Sequence, residues 1–224
     1  DRSRCNLGHG GSSIVKIDLF YELAVPEHQG RSEAQVYHET LDELSLADQL
    51  GFHGAWLVEH HFMREYSHSS APEIFLAAAS QRTSKLRLGH AVVVLPYNHI
   101  IRVAERVAAL DILSNGRLEL GVGRGFSPKE YQLFGSQMAD SRQHMQEGLQ
   151  ILRAAGGPAF SHKDKLYQFE NLDILPKPIQ RPHPPLWTAA VSPATFQWAA
   201  QEGIGVLSGP FKPWFMIKQD LRAY

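Results

Sequence analysis

Short apolar runs alternate along this chain with segments of helical periodicity, and this alternation limits the possible folds more than any other feature. Strands are predicted over residues 15–21, 54–59, 86–95, 117–122, 186–190 and 205–208. Helices are predicted between them, from Ser32 to Gly51 and over 72–81, 100–113, 141–155 and 193–201, with a sixth still running at Tyr224. Such alternation indicates a parallel sheet with right-handed crossover connections.

The glycine pattern favours a closed barrel over an open nucleotide-binding sheet. No predicted strand is followed by the Gly-x-Gly-x-x-Gly loop of dinucleotide-binding proteins, and Gly121, Gly123 and Gly125 have the wrong spacing for it. An eight-unit barrel typically needs about 250 residues, whereas six strands are countable in these 224. We therefore predict an α/β fold of the (β/α)8 TIM-barrel type over residues 14–224, truncated after about six βα units.

The composition indicates a globular protein of the cell interior and excludes several other classes. Hydrophobic residues make up 43%, and the formal net charge of −1 provides no basic surface for nucleic acid or an anionic membrane. No apolar run approaches the roughly 20 residues of a membrane span. The single Cys5 cannot form an internal disulfide, which fits a reducing, cytoplasmic location.

Two segments have an unusual composition. Residues 1–13 lack the apolar centre of a signal peptide and are predicted to be a flexible leader or an expression remnant. Five prolines fall between Pro176 and Pro185. Because a predicted strand begins directly after them, we expect a rigid loop across the barrel surface and not a linker between domains.

The run Glu59-His60-His61-Phe62 stands where the second predicted strand ends. Barrels place their chemistry at the carboxyl ends of strands, so the position makes the histidines functional candidates. Adjacent strand residues point to opposite faces, which places His60 on one side and Glu59 with His61 on the other. This geometry disfavours a two-histidine metal clamp, and no metal site is predicted. Taken alone, a packed histidine bonded to backbone is the simpler interpretation for either residue.

A phosphate-type helix start is predicted at Ser192-Pro193. Serine at the N-cap, proline at the first helical position and Thr195 in the same turn are typical of such a start. Helix N-termini bind phosphate through free N–H groups, although ordinary capping explains the same residues. Arg142 lies early in the fourth helix, where a cation is unfavourable unless an anion is present. Glu119 and Glu130 are predicted to be structural or solvated carboxylates.

Five ordered motifs resemble those of the bacterial luciferase-like flavin monooxygenases, whose fold is a (β/α)8 barrel. The likeness extends over about residues 15–208 and covers nearly all of the predicted domain. The motifs are residues 56–62, 88–96, 116–125, Phe134-Gly135 followed by Ser141-Arg142, and 190–193.

The resemblance implies roles for individual residues. It makes His60 the histidine beside the flavin, where an imidazole can donate to a flavin peroxide or move a proton, while His61 stays structural. It implies that the residues matching the FMN phosphate ligands are Arg124, Arg142, Ser192 and Thr195. The pair Ala91-Val92 matches a non-prolyl cis peptide under the flavin ring, although plain strand geometry is the default for such a pair.

Three residues depart from the luciferase pattern. Gly123 stands where luciferase has a reactive cysteine, and Val191 stands where it has a glutamate near the phosphate. Phe126 replaces a leucine at the flavin ring, which is a conservative apolar change. The first departure implies that monooxygenation by this chain need not produce light.

The resemblance implies a flavin-dependent monooxygenase. Reduced FMN from a separate flavin reductase would react with oxygen, and the C4a-peroxyflavin would oxidise an aldehyde, ketone or other small organic substrate. A homo- or heterodimer is expected. Three alternatives stay open: a deazaflavin F420-dependent oxidoreductase of the same fold, a non-catalytic partner subunit of a luciferase-like heterodimer, and a metal-dependent barrel hydrolase.

Overall fold

A six-stranded parallel sheet runs through the computed structural model, which describes residues 15–209 and 212–224. The predicted leader, with Cys5, lies outside the described residues. The strand order is β1-β2-β3-β4-β7-β8, and every neighbouring pair is parallel. The strands are β1 (Asp18–Tyr21), β2 (Gly54–Leu57), β3 (Arg87–Val94), β4 (Leu118–Gly123), β7 (Leu186–Ala189) and β8 (Gly205–Leu207). Each of the six predicted strands is present.

Helices connect these strands and cover one face of the sheet. They are α1 (Glu33–Leu50), α2 (Pro72–Ser80), α3 (Ile100–Leu113), α4 (Pro128–Leu133), α5 (Ser141–Ala155), α6 (Pro193–Glu202) and α7 (Trp214–Ala223). Their start and stop residues act as predicted at α1, where Ser32 and Gln35 form a reciprocal capping box. Gly51 ends this helix with a φ of 83°, a left-handed conformation that suits glycine.

Two features of the structure were not predicted from the sequence. The short helix α4 begins at Ser127-Pro128, and an antiparallel hairpin of β5 (Phe160–Lys163) and β6 (Gln168–Leu172) lies outside the main sheet. Phe160, Phe169 and Leu172 of the hairpin pack against the main core, and Glu147 of α5 binds the backbone of its turn. The proline-rich segment is a loop, as predicted: Gln180 binds both carboxylate oxygens of the buried Asp111 at 2.8 and 2.7 Å.

The sheet is curved, as a barrel requires. Trp56 on β2 and Trp187 on β7 are separated by two strands, yet their rings meet edge-on with centroids 5.4 Å apart. Contact across two strands is possible only when the sheet curls around a lumen. Gly89 and Gly205 make room for the indoles, since a Cβ at either glycine would lie 2.2 Å from a tryptophan ring atom.

The main hydrophobic core lies between the outer face of the sheet and the helices. Its fully buried residues include Leu57, Leu88, Leu118 and Leu120 from the strands and Leu44 from α1. This layered arrangement holds the strand ends in fixed positions, so the loops at their carboxyl ends have a rigid base. Among the described residues, no helix is long and apolar enough to cross a membrane.

Candidate active site

The second strand was predicted to reach residue 59, but it ends earlier. His60 and His61 therefore lie within the loop that follows it. Strand β2 ends at Leu57, and α2 begins only at Pro72. Beyond the end of β2, one Glu59 carboxylate oxygen accepts the Val94 N–H at 2.7 Å. The His60 N–H donates to the Ser69 carbonyl at 2.9 Å. The loop is therefore closed on itself, and it presents both histidines at the carboxyl end of the sheet.

His60 and His61 contact different neighbours, in agreement with the predicted separation of their faces. The Nε2 atom of His61 lies 3.2 Å from Glu59 Oε1, and its backbone N–H donates to Glu130 Oε1 at 2.9 Å. His60 instead packs between the rings of Tyr66 and Phe126, at centroid distances of 5.4 and 5.5 Å. Burial lowers the pKa of His60, which keeps its imidazole neutral to a lower pH than usual.

The carboxylates of Glu119 and Glu130 are structural, and neither is solvated. Glu130 is 1% exposed and supports the His61 backbone. Glu119 faces the lumen, where it accepts the Trp187 indole N–H at 2.7 Å and pairs with Arg87.

A cavity of about 170 Å³ brings together four residues that were predicted to bind a phosphate group. Arg124 reaches it from the loop after β4, and Arg142 reaches it from the first turn of α5. Ser192 caps α6, and its hydroxyl oxygen accepts the Thr195 N–H at 3.3 Å and lies 3.0 Å from the Thr195 hydroxyl. Pro193 occupies the first helical position, as predicted.

The charge around this cavity suits an anion. Within the described residues, neither Arg124 nor Arg142 has a carboxylate oxygen within 4.0 Å of its guanidinium nitrogens. Two exposed arginines beside a helix N-terminus and two hydroxyl groups make a concave, positively charged surface of suitable size for a phosphate group. The residues present therefore fit the phosphate end of FMN.

Strands β3 and β4 approach closely beside this site. The Ala91–Val92 peptide bond is cis, in contrast to the plain strand geometry that is the default for such a pair. The glycine that replaces the luciferase cysteine has a steric reason here. A Cβ at Gly123 would lie 2.2 Å from Val92 Cγ2, so a larger residue would need Val92 to move.

The predicted site residues thus form two groups, and the loop after β4 contributes one residue to each group. Arg124 contributes to the phosphate-sized cavity, while Phe126, two residues later, packs against His60. His60 does not line that cavity; it borders a more open groove of about 720 Å³ beside α1. Among the residues that the structure describes, no group of three or more histidines, cysteines or acidic residues could hold a metal ion.

Sequence reasoning missed two residues next to His60. The Glu22 carboxylate lies 3.8 Å from His60 Nε2, and the Tyr66 hydroxyl donates to Glu22 at 2.8 Å. Glu22 directly follows β1, so the same argument that drew attention to His60, its place at a strand's carboxyl end, could have found it.

Known relatives share both the sequence and the fold. A family model described as luciferase-like monooxygenase matches residues 19–224. The oxygenase component of a flavin-dependent trigonelline monooxygenase from Acinetobacter baylyi is 32% identical over 198 residues, which cover 88% of this chain and 54% of that protein. Limonene 1,2-monooxygenase from Rhodococcus erythropolis is 34% identical over 195 residues, with coverage of 86% and 50%.

Solved structures confirm the barrel-type fold. The crystal structure of a monooxygenase from Streptomyces bottropensis has a TM-score of 0.87 at 33% identity and covers 94% of this chain and 64% of its own. At 20% identity, the oxygenating constituent of a 3,6-diketocamphane monooxygenase from Pseudomonas putida, solved with FMN, shares the fold with a TM-score of 0.77 and coverage of 86% and 57%. An F420-dependent secondary alcohol dehydrogenase at 18% identity does so with a TM-score of 0.71 and the same coverage.

The matches cover most of this chain but only part of each relative. The chain spans about half the length of the relatives it matches, between 50% and 54% for the two named above. The family match extends over 19–224, well beyond half of the chain, and the identities exceed 30%. The chain belongs to the luciferase-like monooxygenase family.

Proposed function

We propose that this chain is the oxygenase part of a flavin-dependent monooxygenase that uses reduced FMN and molecular oxygen to oxidise a small organic substrate, such as an aldehyde or a ketone. The observation that carries the proposal is the cavity of about 170 Å³ lined by Arg124, Arg142, Ser192 and Thr195. Its charge, hydroxyl groups and helix N-terminus suit a terminal phosphate.

The residues of this chain would bind, orient and shield the cofactor. When bound, reduced FMN supplies the activation of molecular oxygen that no amino-acid side chain provides. The two arginines and Ser192 would hold its phosphate through charge-assisted hydrogen bonds. Phe126 would exclude water from the neighbourhood of His60, whose neutral imidazole can hold or move a proton at a ring nitrogen.

The relatives support a two-component arrangement for the whole protein. The trigonelline relative is named as an oxygenase component, which implies that another component supplies its flavin. We extend that arrangement to this chain: a separate flavin reductase delivers reduced FMN, and the chain works as a homo- or heterodimer. A purely structural subunit has no physical need for a phosphate cavity, which favours a catalytic role over the non-catalytic alternative.

An F420-dependent oxidoreductase is the second candidate, because an F420-dependent dehydrogenase shares the fold. A phosphate cavity does not separate the two cofactors, since both carry phosphate. Oxygen consumption with reduced FMN would favour the monooxygenase, whereas hydride transfer with F420 and no oxygen consumption would favour the second candidate.

The phosphate assignment is tested by comparing FMN with riboflavin, which lacks the phosphate. We expect Arg124→Ala and Ser192→Ala each to weaken reduced FMN binding by roughly 1.5–3 kcal/mol, about 10- to 150-fold, because one charge-assisted contact is lost. Riboflavin binding should hardly change in either variant. Anaerobic fluorescence titration of both ligands measures the difference.

A matched control is Arg102→Ala, which removes an exposed arginine that pairs with Glu105 on α3. It should leave the binding of both ligands unchanged. Equal losses for FMN and riboflavin in the Arg124 and Ser192 variants would show that these residues do not contact phosphate.

A further inference from the structure

One buried carboxylate oxygen close to His60 has no hydrogen-bond donor among the residues that the structure describes. Glu22 directly follows β1, and its Oε2 atom is buried without a partner. The other oxygen, Oε1, accepts a hydrogen bond of 2.8 Å from the Tyr66 hydroxyl. The His60 Nε2 atom lies 3.8 Å from Oε2, slightly beyond hydrogen-bond distance. A buried carboxylate oxygen without a donor is costly, so a small rotation that closes this gap is favourable.

The loop that carries His60 also holds Glu22 in place. The Ser67 hydroxyl donates to the Glu22 backbone carbonyl at 2.7 Å, and Tyr66 binds the Glu22 side chain. Tyr66 and Phe126 confine the His60 ring from two directions. The imidazole and the carboxylate therefore face each other within a single packed unit, and the remaining motion needed to join them is short.

The other charged groups near His60 are already engaged. Glu59, on the same loop, accepts the Val94 N–H and lies 3.2 Å from His61 Nε2. Glu130, on α4, accepts the His61 backbone N–H. Burial raises the pKa of Glu22 and lowers that of His60, so burial alone disfavours charge on both groups. A hydrogen bond from His60 to the carboxylate offsets this cost without requiring His60 to be charged.

We propose that Glu22, held by Tyr66, is the positioning residue of His60. The Glu22 Oε2 atom accepts a hydrogen bond from the Nε2–H group of the imidazole, and this bond selects the tautomer with its proton on Nε2. The Nε2 proton stays on His60, and Nδ1 becomes the nitrogen that exchanges a proton with the reacting group. A carboxylate that orients a histidine in this way is a recurrent arrangement in acid–base catalysis. The role of Nδ1 in turnover rests on the proposed function, whereas the pairing of Glu22 with His60 does not.

The pairing is tested by nuclear magnetic resonance of the protein labelled with ¹⁵N in its histidine rings, without flavin. The His60 signals are identified by their loss in His60→Gln. In the unsubstituted protein we expect His60 to carry its proton on Nε2. Glu22→Gln, which keeps the side-chain size, should reduce the share of that tautomer and move the His60 titration to lower pH, because the carboxylate that favours the proton is gone.

A matched control is Glu27→Gln, which removes an exposed carboxylate that pairs with Arg64 in the same region. It should leave the His60 tautomer and titration unchanged. If Glu22→Gln also leaves both unchanged while its unfolding curve matches that of the unsubstituted protein, Glu22 does not position His60 and the inference is overturned.

Turnover separates this inference from the proposed function. We expect Glu22→Gln to reduce the yield of oxygenated product per oxygen consumed by about 10- to 100-fold, as loss of an orienting partner typically does, with FMN affinity unchanged. If His60→Gln retains full product yield while Glu22→Gln still alters the His60 signals, the proposed role of His60 fails and the pairing stands.

Discussion

Two adjacent histidines, His60 and His61, contact different groups although they are neighbours in the chain. His61 is tied to two buried carboxylates, Glu59 and Glu130, and supports the loop. The His60 ring has a looser contact, 3.8 Å from the Glu22 carboxylate, and it packs against aromatic side chains beside an open groove. At the scale of the residue, these neighbours support our proposal that His60, and not His61, takes part in the chemistry.

The two histidines should therefore respond differently to substitution. We expect His60→Ala to leave FMN binding nearly intact but to lower the yield of oxygenated product by about 10²- to 10⁴-fold, the usual worth of acid–base assistance. Oxygen consumption should continue and release hydrogen peroxide instead. Product analysis combined with peroxide detection measures this loss of coupling.

His61→Ala provides the comparison and should act mainly on stability. Loss of the ring should lower the free energy of unfolding by about 1–3 kcal/mol, because Glu59 loses one of its polar contacts and Phe134 loses the packed imidazole. Urea unfolding measures this change. If the His61 variant lost coupling while the His60 variant retained it, the roles assigned to the two histidines would have to be exchanged.

Polar contacts add to hydrophobic packing where the β5–β6 hairpin meets α5. Glu147 on α5 is fully buried, and it accepts the backbone N–H groups of Leu166 and Tyr167 from the turn of the β5–β6 hairpin. Burial alone would raise the pKa of Glu147, but these bonds and those from Gln143 and His162 outweigh it and lower the pKa. At the scale of the element, one ionised carboxylate fixes the turn of a hairpin whose apolar side chains pack on the main core.

We expect Glu147→Ala to release this hairpin from α5. The free energy of unfolding should fall by about 2–4 kcal/mol, since several charge-assisted hydrogen bonds are lost and backbone N–H groups become unpaired. Hydrogen–deuterium exchange should increase over residues 160–172. Glu170→Ala, which removes an exposed carboxylate from the same hairpin, should change neither quantity; an equal effect from both variants would contradict the role given to Glu147.

The curvature of the sheet is a property of the whole molecule, and the contact of Trp56 with Trp187 is the evidence for it. Each indole donates to a lumen carboxylate, Trp56 to Asp18 at 2.8 Å and Trp187 to Glu119 at 2.7 Å. The ring planes meet at 78° with centroids 5.4 Å apart, a favourable edge-to-face arrangement. The arrangement exists only while non-neighbouring strands curl towards each other.

This contact should be visible in solution. Two indoles so close and so oriented couple their electronic transitions, which produces a paired positive and negative band in the far-ultraviolet circular dichroism spectrum. Trp56→Phe and Trp187→Phe should each abolish the paired band. Trp214→Phe, which alters an exposed residue on α7, should preserve it; persistence of the band in both lumen variants would argue against the curled sheet.

Local patterns in the sequence were sufficient for the six strands of the main sheet and most of the helices, although α4 and the β5–β6 hairpin were not predicted. The alternation of strands and helices, the capping box at Ser32 and the helix start at Ser192 all depend on residues within a few positions of one another. Periodicity and capping are local physical preferences, so they can be read without knowing the fold. The family motifs added the prediction that Arg124, Arg142, Ser192 and Thr195 bind phosphate, and the structure brings these four residues to one cavity.

Only the tertiary structure decided which distant side chains meet. Glu22 and His60 are far apart in the chain and come together because β1 and β2 are parallel neighbours whose carboxyl ends lie at one edge. The Glu59 side chain likewise binds the Val94 N–H, which belongs to another strand. Such contacts arise from packing between elements, and no periodic or capping preference in the sequence encodes them. The sequence by itself therefore determined the main strands, most of the helices and the family, while the fold determined how His60 is held.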